Sequence, residues 1–136
     1  MAGAMLATDW SRFDDVPENF VRAAYALSGV FEVEPYVHTS YNVACKLTAE
    51  GARALSPALW PTPHKDRTLV AAVGGAESQE FVRQSLDIAA RWSVAGVKAE
   101  CVIVPGANHF TIVDELARAD SAMLQRIAGL AAMVAV

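Results

Sequence analysis

The sequence predicts an α/β fold of about three parallel strands with flanking helices. Three observations carry that prediction. Of the 136 residues, 54% are hydrophobic, and many lie in unbroken runs, as in parallel strands covered on both faces. The runs alternate with a segment whose apolar residues recur every three or four positions, which is helical spacing. Each run also ends in a turn signal, at Ser28-Gly29, Gly74-Gly75 and Pro105-Gly106. Strands alternating with helices are the rhythm of a parallel sheet.

Residues 1–8 read as the end of a helix, and residues 9–19 as a polar connection. "VRAAYALSG", Val21 to Gly29, is the first strand. An irregular excursion follows as far as "WPTPHKD", with a short helix over residues 48–55 and turns at Pro35, Pro57, Pro61 and Pro63. "TLVAAVGG", Thr68 to Gly75, is the second strand. Ser78 is the expected N-cap of the next helix, with Glu80 in the first turn where the dipole favours an anion. That helix runs to about Ala95, its core stripe made of Phe81, Val82, Leu86, Ile88, Ala89 and Trp92, and Gly96 closes it. "AECVIV" is the third strand. A short helix over residues 111–117 and a last one from about Ser121, with Met123, Leu124, Ile127 and Leu130 on one side, complete the chain. There is no internal repeat.

Composition excludes several functions. With 11 basic and 15 acidic residues the net charge is −4, and no basic block could track a phosphate backbone, so nucleic acid is not an expected partner. Cys45 and Cys101 have no metal-ligand spacing, and Cys101 sits in an apolar run as a small hydrophobe, so the expected compartment is reducing. The start "MAGAMLATDW" has neither the basic residues nor the apolar length of a signal or anchor, and the tail "AGLAAMVAV" is too short to span a bilayer. The expectation is a cytoplasmic protein with no membrane partner.

In an open α/β sheet, reactive groups collect beyond the carboxyl ends of the strands. Glu77 follows the second strand and His109 the third, 32 residues apart. That interval is one strand-helix-strand passage, so adjacent parallel strands would bring both groups to one rim. A carboxylate on one imidazole nitrogen fixes the tautomer and stabilises the imidazolium, which lets the other nitrogen take a proton from a serine hydroxyl. Where hydrolases of this layout carry a triad, the chain order is Ser, then Asp or Glu, then His. The simpler readings stay open: His109 as a turn residue, Glu77 as a helix-terminus carboxylate. Asn108 reads as turn chemistry, and His38 and His64, without partners at ligand spacing, as surface residues. "VGGAES" lacks the third glycine of a dinucleotide loop. Trp10, Tyr36, Tyr41 and Trp60 read as packing residues, though the excursion could also wall a substrate pocket.

The segments "ALSGVFEVEPYVHTSYN", "ARALSPALWP", "VAAVGGAESQEFVRQSLDIAARW" and "VPGANHF" resemble the C-terminal half of α/β hydrolases of the kynurenine formamidase (arylformamidase) group and its esterase relatives. The resemblance covers nearly the whole chain. It implies the C-terminal portion of an α/β-hydrolase fold, residues 1–136 forming one partial domain. It puts Glu77 in the acid slot, where many relatives carry Asp, and His109 in the base slot. The implied reaction is hydrolysis of a formamide or carboxylic ester, with a small-molecule substrate and neither cofactor nor metal. Ser28 is not expected to be the nucleophile, because "ALSGV" is not an elbow and relatives have a similar segment in addition to theirs. The family's G-x-S-x-G elbow is expected just upstream of the helix ending in "ATDW"; "MAGAMLATDW" either begins inside that helix or starts with a shortened "AGA" remnant of the elbow in which Met1 stands where serine would be. The nucleophile is therefore expected outside the chain, which alone should be nearly inactive. The alternative is a non-catalytic truncated hydrolase that serves as an interaction domain. In either case the first strand has an open edge that a homo-oligomer could cover.

Overall fold

A computed structural model describes residues 1–134. The last two residues of the apolar tail lie outside it. The expected strands and helices are present, with altered boundaries. Helix α1 (Ala2–Ala7) leads through a 3-10 turn at Trp10–Arg12 to strand β1 (Ala23–Leu27). The excursion holds 3-10 turns at Glu34–His38 and Pro57–Leu59 around helices α2 (Asn42–Cys45) and α3 (Ala49–Ala54). Strand β2 (Thr68–Gly74), helix α4 (Gln79–Val94) and strand β3 (Lys98–Val104) form one continuous passage. A 3-10 segment at Ile112–Ala117, rather than an α-helix, precedes α5 (Ala122–Val134). Among the described residues no helix is long and apolar enough to cross a membrane.

The sheet is parallel throughout, in the order β1-β2-β3, with Leu27 opposite Ala72 and Gly74 opposite Val104. Side chains of one parity, Ala24, Ala26, Leu69 and Ala71, pack against Leu6 of α1 and Ile88 and Trp92 of α4. Tyr25 has the opposite parity, and its hydroxyl lies near Arg126 of α5. Helices therefore cover both faces of β2, and its residues from Leu69 on are buried, as its unbroken apolar run requires. Burial on this scale is what holds the layers: truncating a core residue such as Trp92 to Ala costs about 3–5 kcal/mol.

Three details depart from the sequence reading. Strand β1 is shorter than Val21–Gly29, because Arg67 takes the Val21 carbonyl and Ser28, which makes the last bond across to β2, turns to φ +48° and leads the chain out of the sheet. Strand β3 is an edge strand and is not covered on both sides: Lys98, Glu100 and Ile103 are exposed, and Glu100 pairs with Arg126. Leu86 does not face the core. The buried positions of α4 are Gln84, Ser85, Ile88, Ala89 and Trp92, an i, i+3, i+4 progression in which residue 86 lies about 100° beyond residue 85. Gly96 closes α4 as expected, at φ +92°. Its N–H meets the Ser93 carbonyl and that of Val97 meets Trp92, a Schellman closure.

Candidate active site

All three strands deliver a residue to the carboxyl edge of the sheet. β2 ends at Gly74, and Glu77 follows in a tight turn closed by its own N–H on the Gly74 carbonyl (3.1 Å). β3 ends at Val104, where Pro105 and Gly106, the latter at φ +73°, reverse the chain. A turn with a positive φ after proline needs glycine there. The Asn108 side chain then accepts from the N–H groups of Phe110 (2.9 Å) and Thr111 (3.0 Å), holding the bend that carries His109. This is the turn role expected of Asn108.

Backbone bonds fasten the two loops together. Gly75 N–H reaches the Val104 carbonyl (2.8 Å), and Ala76 N–H the Ala107 carbonyl (2.9 Å). Glycine is needed at position 74 for this approach, because a Cβ there would stand 2.3 Å from the Ala107 carbonyl oxygen. The strand ends thus set the separation of Glu77 and His109.

The structure brings both sequence-predicted residues together. His109 Nδ1 and Glu77 Oε2 are 2.8 Å apart. The Glu77 side chain is fully buried, while that of His109 is 49% exposed. Phe81, in the first turn of α4, lies over the imidazole with ring centroids 4.8 Å apart, and Phe110 meets it edge-on. With Nδ1 engaged, Nε2 has no hydrogen-bond partner among the described residues, and the ring that carries it is half-exposed. A ring so held can accept a proton at Nε2 and return it.

Ser28 is the residue that sequence reasoning placed at the rim without a task. Its hydroxyl donates to Glu77 Oε1 at 2.6 Å, and Gly74 N–H donates to the same oxygen at 2.7 Å. Burial pushes the Glu77 carboxyl toward its neutral form. The bonds from Ser28, Gly74 and His109 together outweigh that and leave its pKa below the ordinary value. The available signal for Ser28 was a serine at a strand end on the shared rim; its target was not readable.

Beside Phe81 a cavity of about 190 Å³ is lined by Val30, Pro35, Tyr36, Tyr41 and Gln84 among others. The excursion thus walls a mostly apolar space one ring away from His109. A larger cavity, about 540 Å³, is lined by Trp10, Trp60, His64 and Arg67. It lies near the segment that enters β2, whereas Glu77 and His109 follow strand ends. Neither residue lines either cavity, but the smaller one is bounded by Phe81, whose ring stacks on His109. His38 and His64 are exposed, and His64 pairs with Asp66 (2.8 Å). The two cysteines are free, Cys45 exposed and Cys101 partly buried.

No protein-family model matches the chain. It is 32% identical over 130 residues to a kynurenine formamidase of Salmo salar, covering 92% of this chain and 44% of that protein. A kynurenine formamidase of Danio rerio is 29% identical over 120 residues, 85% of this chain and 40% of its own length. A crystal structure of a candidate thioesterase from Silicibacter sp. TM1040 superposes with a TM-score of 0.71 at 28% identity, covering 90% of this chain and 44% of that one. The chain therefore spans less than half the length of the curated relatives it matches. These likenesses support a hydrolase-like family and a hydrolase-like fold.

Proposed function

We propose that this chain carries the acid–base half of a serine hydrolase of the α/β-hydrolase type, acting on a formamide or carboxylic ester. His109 is the general base and then the general acid, and Glu77 is its orienting carboxylate. The nucleophilic serine and the oxyanion donors belong to polypeptide outside the chain, and residues 1–136 form a partial domain. One observation carries the reading: a fully buried carboxylate bonded to Nδ1 of a half-exposed histidine, at the carboxyl rim of a parallel sheet. The relatives' names give the reaction class.

In the reaction, His109 Nε2 removes the serine proton as the oxygen attacks the acyl carbon. Glu77 stabilises the imidazolium, and Nε2 then returns the proton to the leaving amine or alcohol. Water repeats the cycle to release the acid. Triad members act as a unit, so the chain alone should neither turn over an aryl ester or N-formylkynurenine nor label with a fluorophosphonate. A chimera joining it to the part of the Salmo salar enzyme outside the match should label on serine and hydrolyse N-formylkynurenine. In that chimera, Glu77→Gln and His109→Gln should each lower kcat by about 10³-fold or more. A labelled, active chimera that keeps its rate in both variants would remove Glu77 and His109 from the mechanism, and serine labelling of the isolated chain would overturn the missing nucleophile.

A further inference from the structure

We infer that Ser28 is a positioning residue for the Glu77–His109 pair, its hydroxyl clamping one carboxylate oxygen so that the other is kept for the imidazole. The inference rests on the acid–base reading above and adds a third member to it.

The two oxygens of Glu77 have separate duties. Oε1 receives the Ser28 hydroxyl (2.6 Å) and the Gly74 N–H (2.7 Å), while Oε2 has the His109 ring (2.8 Å). A glutamate has one more rotatable bond than an aspartate, so its carboxylate plane could swing and offer either oxygen to the ring. Two donors converging on Oε1 from different elements remove that freedom. One is the backbone at the end of β2. The other comes from the end of β1, 49 residues earlier in sequence.

The backbone of Ser28 is arranged for this contact. Its N–H still reaches the Ala72 carbonyl (2.8 Å) as the next rung of the β1–β2 ladder, yet its φ is +48°. A left-handed residue with a Cβ is strained, and such strain persists only where its surroundings enforce it. Glycine would hold the same turn without strain, so the hydroxyl is what serine adds. Because that hydroxyl donates to Glu77, its proton is committed to the carboxylate and not to His109, which also explains why Ser28 is no nucleophile.

The test uses the isotope-labelled chain itself and needs no turnover. Ring ¹⁵N shifts report the His109 tautomer, and the Glu77 side-chain ¹³C shift reports its titration. In the wild type, His109 should populate the single tautomer protonated at Nδ1. In Ser28→Ala and Ser28→Gly, both tautomers should appear and the Glu77 midpoint should move to higher pH. Ser28→Gly relieves the backbone at φ +48° and keeps the fold even if Ser28→Ala does not, so a merely structural serine would leave both signals untouched there. Glu77→Gln serves as the control. If it disturbs the tautomer and both Ser28 variants do not, the clamp is wrong and the pair stands. If Glu77→Gln also leaves the tautomer unchanged, the pair itself fails and the clamp with it.

Discussion

At the scale of single residues, Glu77 is a carboxylate withdrawn from solvent and still biased toward ionisation. Burial alone would raise its pKa, but the Ser28 hydroxyl, the Gly74 N–H and His109 together bring it below the ordinary 4.5. A carboxyl lowered in the folded state stabilises the fold above its ordinary value and loses that contribution as pH falls through the folded one. Urea titrations from about pH 6 to about pH 3 should therefore show the wild type losing stability more steeply than Glu77→Gln, whose amide does not ionise. Glu80, held down to about 2 chiefly by its bond from Arg83, titrates in both proteins and cancels from the difference; equal slopes would mean that Glu77 carries no bias. Glu77 and His109 were legible in the sequence because their spacing equals one strand-helix-strand passage and parallel topology does the rest. The Ser28 clamp was not legible, since it depends on a backbone angle after β1 and a target 49 residues away.

Among the elements, α4 shows where pattern reading succeeds and fails. Its length, its glycine closure and most of its stripe follow from spacing, but the apolar rule put Leu86 inside and overlooked Gln84. Gln84 is 3% exposed. Its Oε1 accepts the N–H groups of Phe31 (2.8 Å) and Glu32 (2.9 Å), and its amide donates to the Glu32 carbonyl (3.0 Å) and to Glu80 (2.8 Å). This glutamine supplies the partners that the chain after β1 loses on leaving the sheet, and so fixes the start of the excursion beside Phe81. A hydrophobicity scale cannot register that demand, because it arises from backbone groups on another segment. Arg83 strengthens the same junction by pairing with Glu32, Glu80 and Asp87. Gln84→Ala should cost about 1–3 kcal/mol in urea unfolding, the price of orphaned buried donors. Leu86→Ser, at 46% exposure, should stay within about 0.5 kcal/mol. A reversal of that order would return residue 86 to the core.

For the molecule as a whole, the described residues form a sheet of three strands in which β1 and β3 are both edges. β2 is sealed between neighbours, but β1 pairs only with β2 among the described residues, leaving the other edge of Ala23–Leu27 without a strand. Unpaired edges recruit further strands. Large apolar side chains are exposed as well, among them Met1 (95%), Phe20 (57%) and Phe110 (82%). A relative more than twice as long has polypeptide to spend on such surfaces; this chain, if it stands alone, has copies of itself. The alternative of an interaction domain and the hydrolase reading share this consequence, since both leave β1 open in isolation. Light scattering behind size exclusion should therefore give a mass above the 14.5 kDa of one chain, rising with concentration. Because apolar burial and backbone pairing would drive it, the association should change little between about 0.1 and 1 M salt, where the Debye length falls from about 10 to about 3 Å. Monodisperse monomer at every concentration would show that the β1 edge needs no cover, and association abolished by salt would assign it to the charged surface instead.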